Sequence, residues 1–426
     1  MQFRKFLIPS VVVAVLILIV LAGIRTRWFT DFNSLRQSEK QLARLDMFSP
    51  ESFAISPDNR MLAYASKKGD KLSVTVGETK GKEFQAIMPG SLVFSPDGKR
   101  TAYAAVTADK SVVVVIDGKE GMPWEETGEG APVFSPDSRR TAFAGRKGDR
   151  WFAVVDGEPG PGYVSVKGIV FSPDSRHFAY LAQKGDQWVI VRDGTEESAF
   201  SGIGSLAFTP DSRDLSYVAG KGLDTVVAVF RGQEGPPFES IGGLVCSADG
   251  SRTAYIAKKG ERYSVVVDGS EVPLDDGIVS EPPVFSRDGK KVAYCMKKGD
   301  KWFTVTDGVP SRGYDGVKGF VFSADGRHSG FTATRNGRQL MVIDGVEGPD
   351  YDAAGGLEFN ADGTANAYVA RKGKKNFVVS GGTEGPSFDN IFTGWGGRIV
   401  FDSPSRLHYV AMRGDTIYLV EGKTGK

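Results

Sequence analysis

The stretch from Val133 to Gly168, V-F-S-P-D-S-R-R-T-A-F-A-G-R-K-G-D-R-W-F-A-V-V-D-G-E-P-G-P-G-Y-V-S-V-K-G, decides the fold of this chain. It reads as four short strands separated by three turn signals. Apolar residues over Pro132 to Ser135 run into S-P-D-S, a type I turn with proline at its second position. Thr141 to Gly145 makes a second strand, Arg146-Lys147-Gly148-Asp149 a second turn, and Trp151 to Val155 a third strand. Asp156-Gly157 with Pro159 and Pro161 then breaks the chain, and Tyr163 to Val166 is expected as a short fourth strand. Period-2 segments bounded by Gly, Pro and Asp are antiparallel strands rather than helices.

The unit recurs ten times, with first strands ending at Ile55, Phe94, Phe134, Phe171, Phe208, Cys246, Phe285, Phe322, Phe359 and Phe401. Every copy carries an aromatic in its second strand: Tyr64, Tyr103, Phe143, Tyr180, Tyr217, Tyr255, Tyr294, Phe331, Tyr368 and Tyr409. Alanine precedes that aromatic in seven copies. Neighbours in a strand point to opposite faces, so each sheet should be small-sided on one face and large-sided on the other. One unit cannot fold alone. Ordering each of its residues costs about 1–2 kcal/mol of backbone entropy, and a few buried side chains return only about 1.5–3 kcal/mol each. The units must therefore stack, as in repeat proteins.

Four-stranded units with F-S-P-D-G-K-R on the first hairpin, as at Phe94 to Arg100, resemble the WD40-like repeats of TolB-type β-propellers. That resemblance implies an all-β propeller, and the count of ten copies implies about ten four-stranded blades, with nine blades or an open spiral as alternatives. It implies no particular activity, because propellers host unrelated functions.

Ahead of the repeats, Arg4 and Lys5 precede Phe6 to Ile24, nineteen uncharged residues, long enough to cross a bilayer as a helix. Residues 1–24 are expected to be a transmembrane anchor, or a cleaved secretory signal in the alternative reading. Charge at the N-terminus favours an extracytoplasmic, periplasmic propeller. Residues 25–45 read as a juxtamembrane linker. Phe32, Leu35, Leu42 and Leu45 lie at helical spacing there, which predicts a stalk helix over Asp31 to Leu45. The propeller is then expected over 46–426, with Asp46-Met47-Phe48 supplying the strand that the last copy lacks.

The chain has 53 basic and 52 acidic residues, so no global field favours nucleic acid. Nine equivalent first-turn aspartates, Asp58, Asp97, Asp137, Asp174, Asp211, Asp249, Asp288, Asp325 and Asp362, are read as turn formers, since one carboxylate per turn is too few for calcium. The second turns are basic, as in Lys67-Lys68-Gly69-Asp70 and Lys297-Lys298-Gly299-Asp300, and the third turns more acidic. These share opposite faces of the disc. They are read as solvated turns or, more sharply, as a basic face for an anionic surface. Trp151, Trp188 and Trp302 read as packing residues rather than a sugar platform, and Cys246 and Cys295 as two separate thiols. The three histidines, His177, His328 and His408, read as scattered. No residue is nominated as catalytic, cofactor-binding or metal-ligating. The expectation is a membrane-anchored, non-catalytic scaffold with a protein partner in the cell envelope. Alternatives are polysaccharide or peptidoglycan binding, and a hydrolase or lyase with its site at the channel mouth. The least regular stretches, Gly220 to Asp224, Leu274 to Pro283 and Phe392 to Arg398, are the candidate sites.

Overall fold

The computed structural model describes residues 37–44, 52–128, 130–222, 224–274 and 281–424. Ten antiparallel sheets follow one another along the chain, each with its strands in meander order. Blade 1 covers residues 53–84, blade 2 86–120, blade 3 126–163, blade 4 165–200 and blade 5 203–238. Blade 6 covers 240–274, blade 7 284–310, blade 8 316–347, blade 9 353–384 and blade 10 390–423. First strands of neighbouring blades approach one another, so they line the central axis.

Local sequence explains each hairpin. In S-P-D-G the Gly98 amide donates to the Ser95 carbonyl at 2.8 Å, closing the turn, and Gly98 adopts φ +70°. The third turn is tighter. Asp156 and Gly157 both have positive φ, at 55° and 89°, the two-residue type I′ hairpin whose twist matches the flanking strands.

That hairpin corrects the expected fourth strand. It runs over Glu158–Tyr163, immediately after the turn and through both prolines, while Ser165 and Val166 already belong to the next blade's first strand. Proline is tolerated because this is the outermost strand, where outward amides have no ladder partner to lose.

Blades pack large against small, as the alternation predicts. Ala102, Ala142, Ala179, Ala254, Ala293 and Ala367 are wholly buried. The second-strand aromatic of each blade meets a residue at the end of the preceding blade's outer region. Phe84–Tyr103, Trp124–Phe143, Tyr163–Tyr180, Phe200–Tyr217, Phe238–Tyr255, Tyr314–Phe331, Tyr351–Tyr368 and Phe388–Tyr409 stand 5.7–6.4 Å apart by ring centroid. Such tilted and edge-on pairs are worth about 0.5–1.5 kcal/mol beyond their burial.

The ring closes with ten blades. Ile55, Phe53 and Tyr64 of blade 1 share a core with Phe392, Val410 and Ile417 of blade 10. The Ile55 amide donates to the Trp395 carbonyl at 2.8 Å. Here the structure differs from the expected stalk helix: Gln37–Arg44 is a β-strand, the outermost of blade 10, paired antiparallel with Thr416–Lys423. The open edge of that last strand offers a row of unpaired backbone groups, and pairing with it overrides the helical spacing of the local sequence. Closure by the two chain ends was expected, but the strand lies earlier than Asp46-Met47-Phe48, which falls outside the described residues, as do residues 1–36. Among the described residues no helix is long and apolar enough to cross a membrane.

Candidate functional site

The first-turn face is built from a repeated hydrogen-bond device. Ser95 is fully buried and donates through Oγ to Asp97 Oδ1 at 2.7 Å. The same carboxylate oxygen accepts the Lys99 amide at 3.1 Å, and Ser95 Oγ accepts the Arg100 amide at 3.0 Å. Six further blades repeat the serine-to-aspartate bond, through Ser56, Ser135, Ser172, Ser247, Ser286 and Ser323. Thr209 does the same work in blade 5. The hydroxyl bond holds the carboxyls of Asp97, Asp137, Asp174, Asp211, Asp249, Asp288 and Asp325 below their ordinary range, Asp249 at about 2. The aspartates are turn formers, and among the described residues no group of three His, Cys, Asp or Glu side chains could hold a metal ion.

The turns also lock blade to blade. Ser138, Ser175 and Ser212 sit at positive φ, where a side chain is costly. Each offsets that cost by accepting, through Oγ, the first-turn amide of the preceding blade: Asp97, Asp137 and Asp174, at 2.9–3.0 Å. Arg140 Nε pairs with Asp156 at 2.9 Å, and its Nη1 donates to the next blade's Arg176 carbonyl at 3.0 Å. Arg100 and Arg252 repeat the arrangement. His177 and His328 occupy the same column as these arginines, and their Nδ1 atoms meet Asp193 and Asp344 at 2.6 and 2.7 Å. Reading those two histidines as scattered was therefore wrong; both replace an arginine in one repeated contact with the third-turn aspartate.

One residue earlier in the same turns lies a set of cations that the sequence reading passed over. Arg60, Lys99, Arg139, Arg176, Arg213, Lys290 and Arg327 hold the same column, and Arg406 takes the corresponding turn of blade 10. All eight are exposed. Arg139, Lys290 and Arg327 are 86%, 81% and 82% exposed, with only loose contacts of 3.8–4.0 Å to their own turn aspartates. Arg60 alone is drawn aside, to Asp402 and Glu421 across the seam. Aligning the residue after D-G or D-S across copies would have revealed the column.

The opposite face carries the basic second turns, and acids from the same blade's outer strand or from the link into its first strand neutralise many of them. Arg146 pairs with Glu125 and Glu126, Lys184 with Glu196, Arg335 with Glu347 and Asp350, Lys372 with Glu384, and Arg413 with Glu39. Lys67, Lys68, Lys297 and Lys298 have no acid within ion-pair distance among the described residues.

The three irregular stretches fall in different places. Gly220 and Gly222 border a cleft of about 670 Å³ with Ser201, Gly202 and Ile203, in blade 5. Leu274 lines a cleft of about 390 Å³ with Tyr294, Met296 and Pro310 between blades 6 and 7, while residues 275–280 lie outside the described residues. Phe392 to Arg398 forms the seam against blade 1, where Trp395 is 63% exposed at φ +54° and lies 6.3 Å from the rings of Phe53 and Phe392. Beside it stands a residue the sequence reading missed. Glu358 occupies a first-strand column that is Val or Ala in all other blades. Burial raises its carboxyl pKa, opposed by the nearby Arg398 guanidinium. A further concavity of about 390 Å³, lined by Gly128, Gly130, Val133, Trp151, Lys167 and Ile169, lies where the first strand of blade 3 shrinks to Val133–Phe134.

The remaining expectations resolve simply. Trp151, Trp188 and Trp302 pack half-buried against blade cores. Both cysteines are free; burial pushes the Cys295 thiol up to about 12 and raises that of Cys246.

No protein-family model matches the chain, and no curated protein matches it. Solved structures do. A eukaryotic initiation factor aligns over 86% of this chain and 96% of its own, at 12% identity and TM-score 0.48. TolB from Acinetobacter baumannii, a β-propeller, aligns over 59% of this chain and 79% of its own, at 15% identity and TM-score 0.30. Hydrazine synthase from Kuenenia stuttgartiensis aligns over 70% and 97%, at 13% identity and TM-score 0.28. The fold is the ten-bladed propeller described above, and these likenesses say nothing about function.

Proposed function

We propose that this chain is a membrane-anchored, non-catalytic propeller that acts as a protein-interaction scaffold in the cell envelope. The propeller fold suits a protein-interaction scaffold in general. The observation that carries the specific reading is the joining of two unlike parts. Residues 6–24 form an uncharged run of membrane-spanning length. Ten blades of near-equal build then present two broad faces through short turns. Short, self-satisfied turns offer contact area without the convergent, unpaired groups that an active site assembles. In this reading the anchor holds the disc at the membrane, the propeller lies on the extracytoplasmic side, and a partner protein lies on a face or in the channel.

A glycan-binding role draws on one observation, the exposed Trp395 ring at the seam. One experiment separates the readings. The full chain is expressed in cells, cross-linked in place and recovered from membranes washed with alkaline carbonate. Retention in the membrane with one protein cross-linked stoichiometrically is the expected result. Release by carbonate defeats the anchor. Retention on purified cell-wall glycan, lost in Trp395→Ala, favours the glycan reading, and turnover of an ester, peptide or glycoside defeats the non-catalytic one.

A further inference from the structure

The junction between blades 6 and 7 lacks two side chains that its equivalents share. At the 3/4, 7/8 and 8/9 junctions the ring in the aromatic slot is a tyrosine, and it ends in a fixed polar contact. Tyr163 donates through its hydroxyl to Glu196 Oε1 at 3.1 Å, and Lys184 Nζ meets Glu196 Oε2 at 2.9 Å. Tyr314 and Arg335 meet Glu347 at 3.1 and 2.6 Å, and Tyr351 and Lys372 meet Glu384 at 3.1 and 2.6 Å. Ring, carboxylate and cation form one unit in each of the three.

At the 6/7 junction the cation remains and the other two are gone. Leu274 pairs with Tyr263, the register at which Tyr163 pairs with Trp151, so it stands where the ring would be. Pro310 pairs with Val305, as Glu196 pairs with Val191 and Glu347 with Val342, so it stands where the carboxylate would be. Lys298 pairs with Lys301 across the second turn, as Lys184 pairs with Gln187, so it holds the place of the cation. It is exposed and has no acid within ion-pair distance among the described residues. Asp300 shares its turn, but Asp186 shares the turn of Lys184 without displacing Glu196. Met296 takes up part of the vacated space. What is left is the cleft of about 390 Å³, lined by Leu274, Tyr294, Met296, Lys298, Phe303 and Pro310. Tyr294 is only 6% exposed, and its hydroxyl makes no hydrogen bond among the described residues.

We propose that this cleft binds a small aromatic carboxylate, its ring against Leu274, Met296 and Phe303 and its carboxylate on Lys298. Three other junctions of the same molecule close the slot with a ring and a carboxylate, and the ligand restores both. The thioether of Met296 and the ring of Phe303 favour a flat aromatic over an aliphatic chain. The cleft is of the size that small-molecule sites have. The charge-assisted bond to the ammonium fixes which way round the ligand sits. The site goes beyond the scaffold reading and depends neither on the anchor nor on a protein partner.

The test is isothermal titration calorimetry on the full chain in phosphatidylcholine nanodiscs, with 4-hydroxyphenylacetate as the probe and empty discs as the blank. Saturable binding of one equivalent is the expected result. Lys298→Gln should weaken it about tenfold, and so should replacing the probe by its neutral amide. Hexanoate, which has the carboxylate but no ring, should also bind more weakly than the probe. Leu274→Tyr combined with Met296→Ala and Pro310→Glu rebuilds the arrangement of the 8/9 junction. That variant should lose binding and keep or raise the melting temperature; should it fail to fold, the probe series on the unaltered chain still decides. Equal binding of acid and amide, equal binding of hexanoate, or undiminished binding in either variant would each overturn the proposal. Tighter binding of the tripeptide Gly-Gly-Tyr would overturn it in favour of a peptide end. Absence of saturable binding would overturn it too, and leave Asp275 and Asp276, next in sequence after Leu274, as the carboxylates to test against Lys298.

Discussion

The junction between blades 2 and 3 and the junction between blades 6 and 7 fill one packing slot in opposite ways. At most junctions an aromatic from the preceding blade faces an alanine two residues after the second-strand aromatic, as Tyr163 faces Ala182 and Phe238 faces Ala257. At the 2/3 junction the aromatic is the largest available, Trp124, and the facing residue is Gly145. A Cβ there would lie 2.5 Å from the indole. At the 6/7 junction the aromatic is replaced by Leu274, and the facing residue grows to Met296, in the same buried cluster. Volume is conserved across each interface rather than within each blade. The repeat unit of packing is therefore the junction, and the blade is only its covalent half.

Changes that upset this balance should rank by the volume they disturb. Trp124→Ala should cost the most, about 3–5 kcal/mol in denaturant unfolding, because a 4% exposed ring leaves a void beside a glycine that cannot fill it. Gly145→Ala should cost about 1–3 kcal/mol by overpacking. Combined with Trp124→Phe, most of that loss should return, a coupling of about 0.5–3 kcal/mol. An additive double mutant would show that the two residues do not share a slot. Arg140→Ala tests the polar lock at an ordinary junction. Its guanidinium is partly exposed, so about 1 kcal/mol is expected.

The smallest effect per residue is spread around the ring and read by pH. Eight first-turn aspartates are held below their ordinary range, chiefly by a serine or threonine hydroxyl. Groups with a depressed folded pKa contribute stability above the unfolded carboxylate value, near 3.9, and lose it as pH falls through the folded value. Melting temperature should hold from neutral pH to about 4 and fall between about 4 and 2, where Asp249 titrates. Ser247→Ala should slightly lower the melting temperature above pH 4 and make the fall below it shallower, because the folded and unfolded values of Asp249 then lie closer together.

Much of this was legible in the sequence because the repeat repeats. The Phe and Tyr columns, the S-P-D-G turns and the small-against-large faces follow from residues that recur at fixed spacing, and each could be checked ten times over. What escaped were relations that cross the repeat. Trp124 and Gly145 belong to different copies, so reading down columns hides the pair, although the aromatic-to-aromatic spacing of 17 to 21 residues was available as a signal. The Gln37–Arg44 strand was misread because nothing in its own residues favours a strand; its partner lies at the other end of the chain. Glu358 was missed for the opposite reason. It is a single substitution in a Val and Ala column, and only the structure shows it half-buried near Arg398.

The blade that joins the two termini imposes an order of events. Gln37 pairs with Gly422, so residues made early must wait for residues made hundreds of positions later. Until then blade 10 has a bare outer strand and blade 1 lacks its neighbour, and both surfaces are competent to pair with another chain. A nascent or truncated copy that has lost its last dozen residues should therefore be prone to exchange strands with its siblings. The finished molecule hides that hazard in a single closing seam.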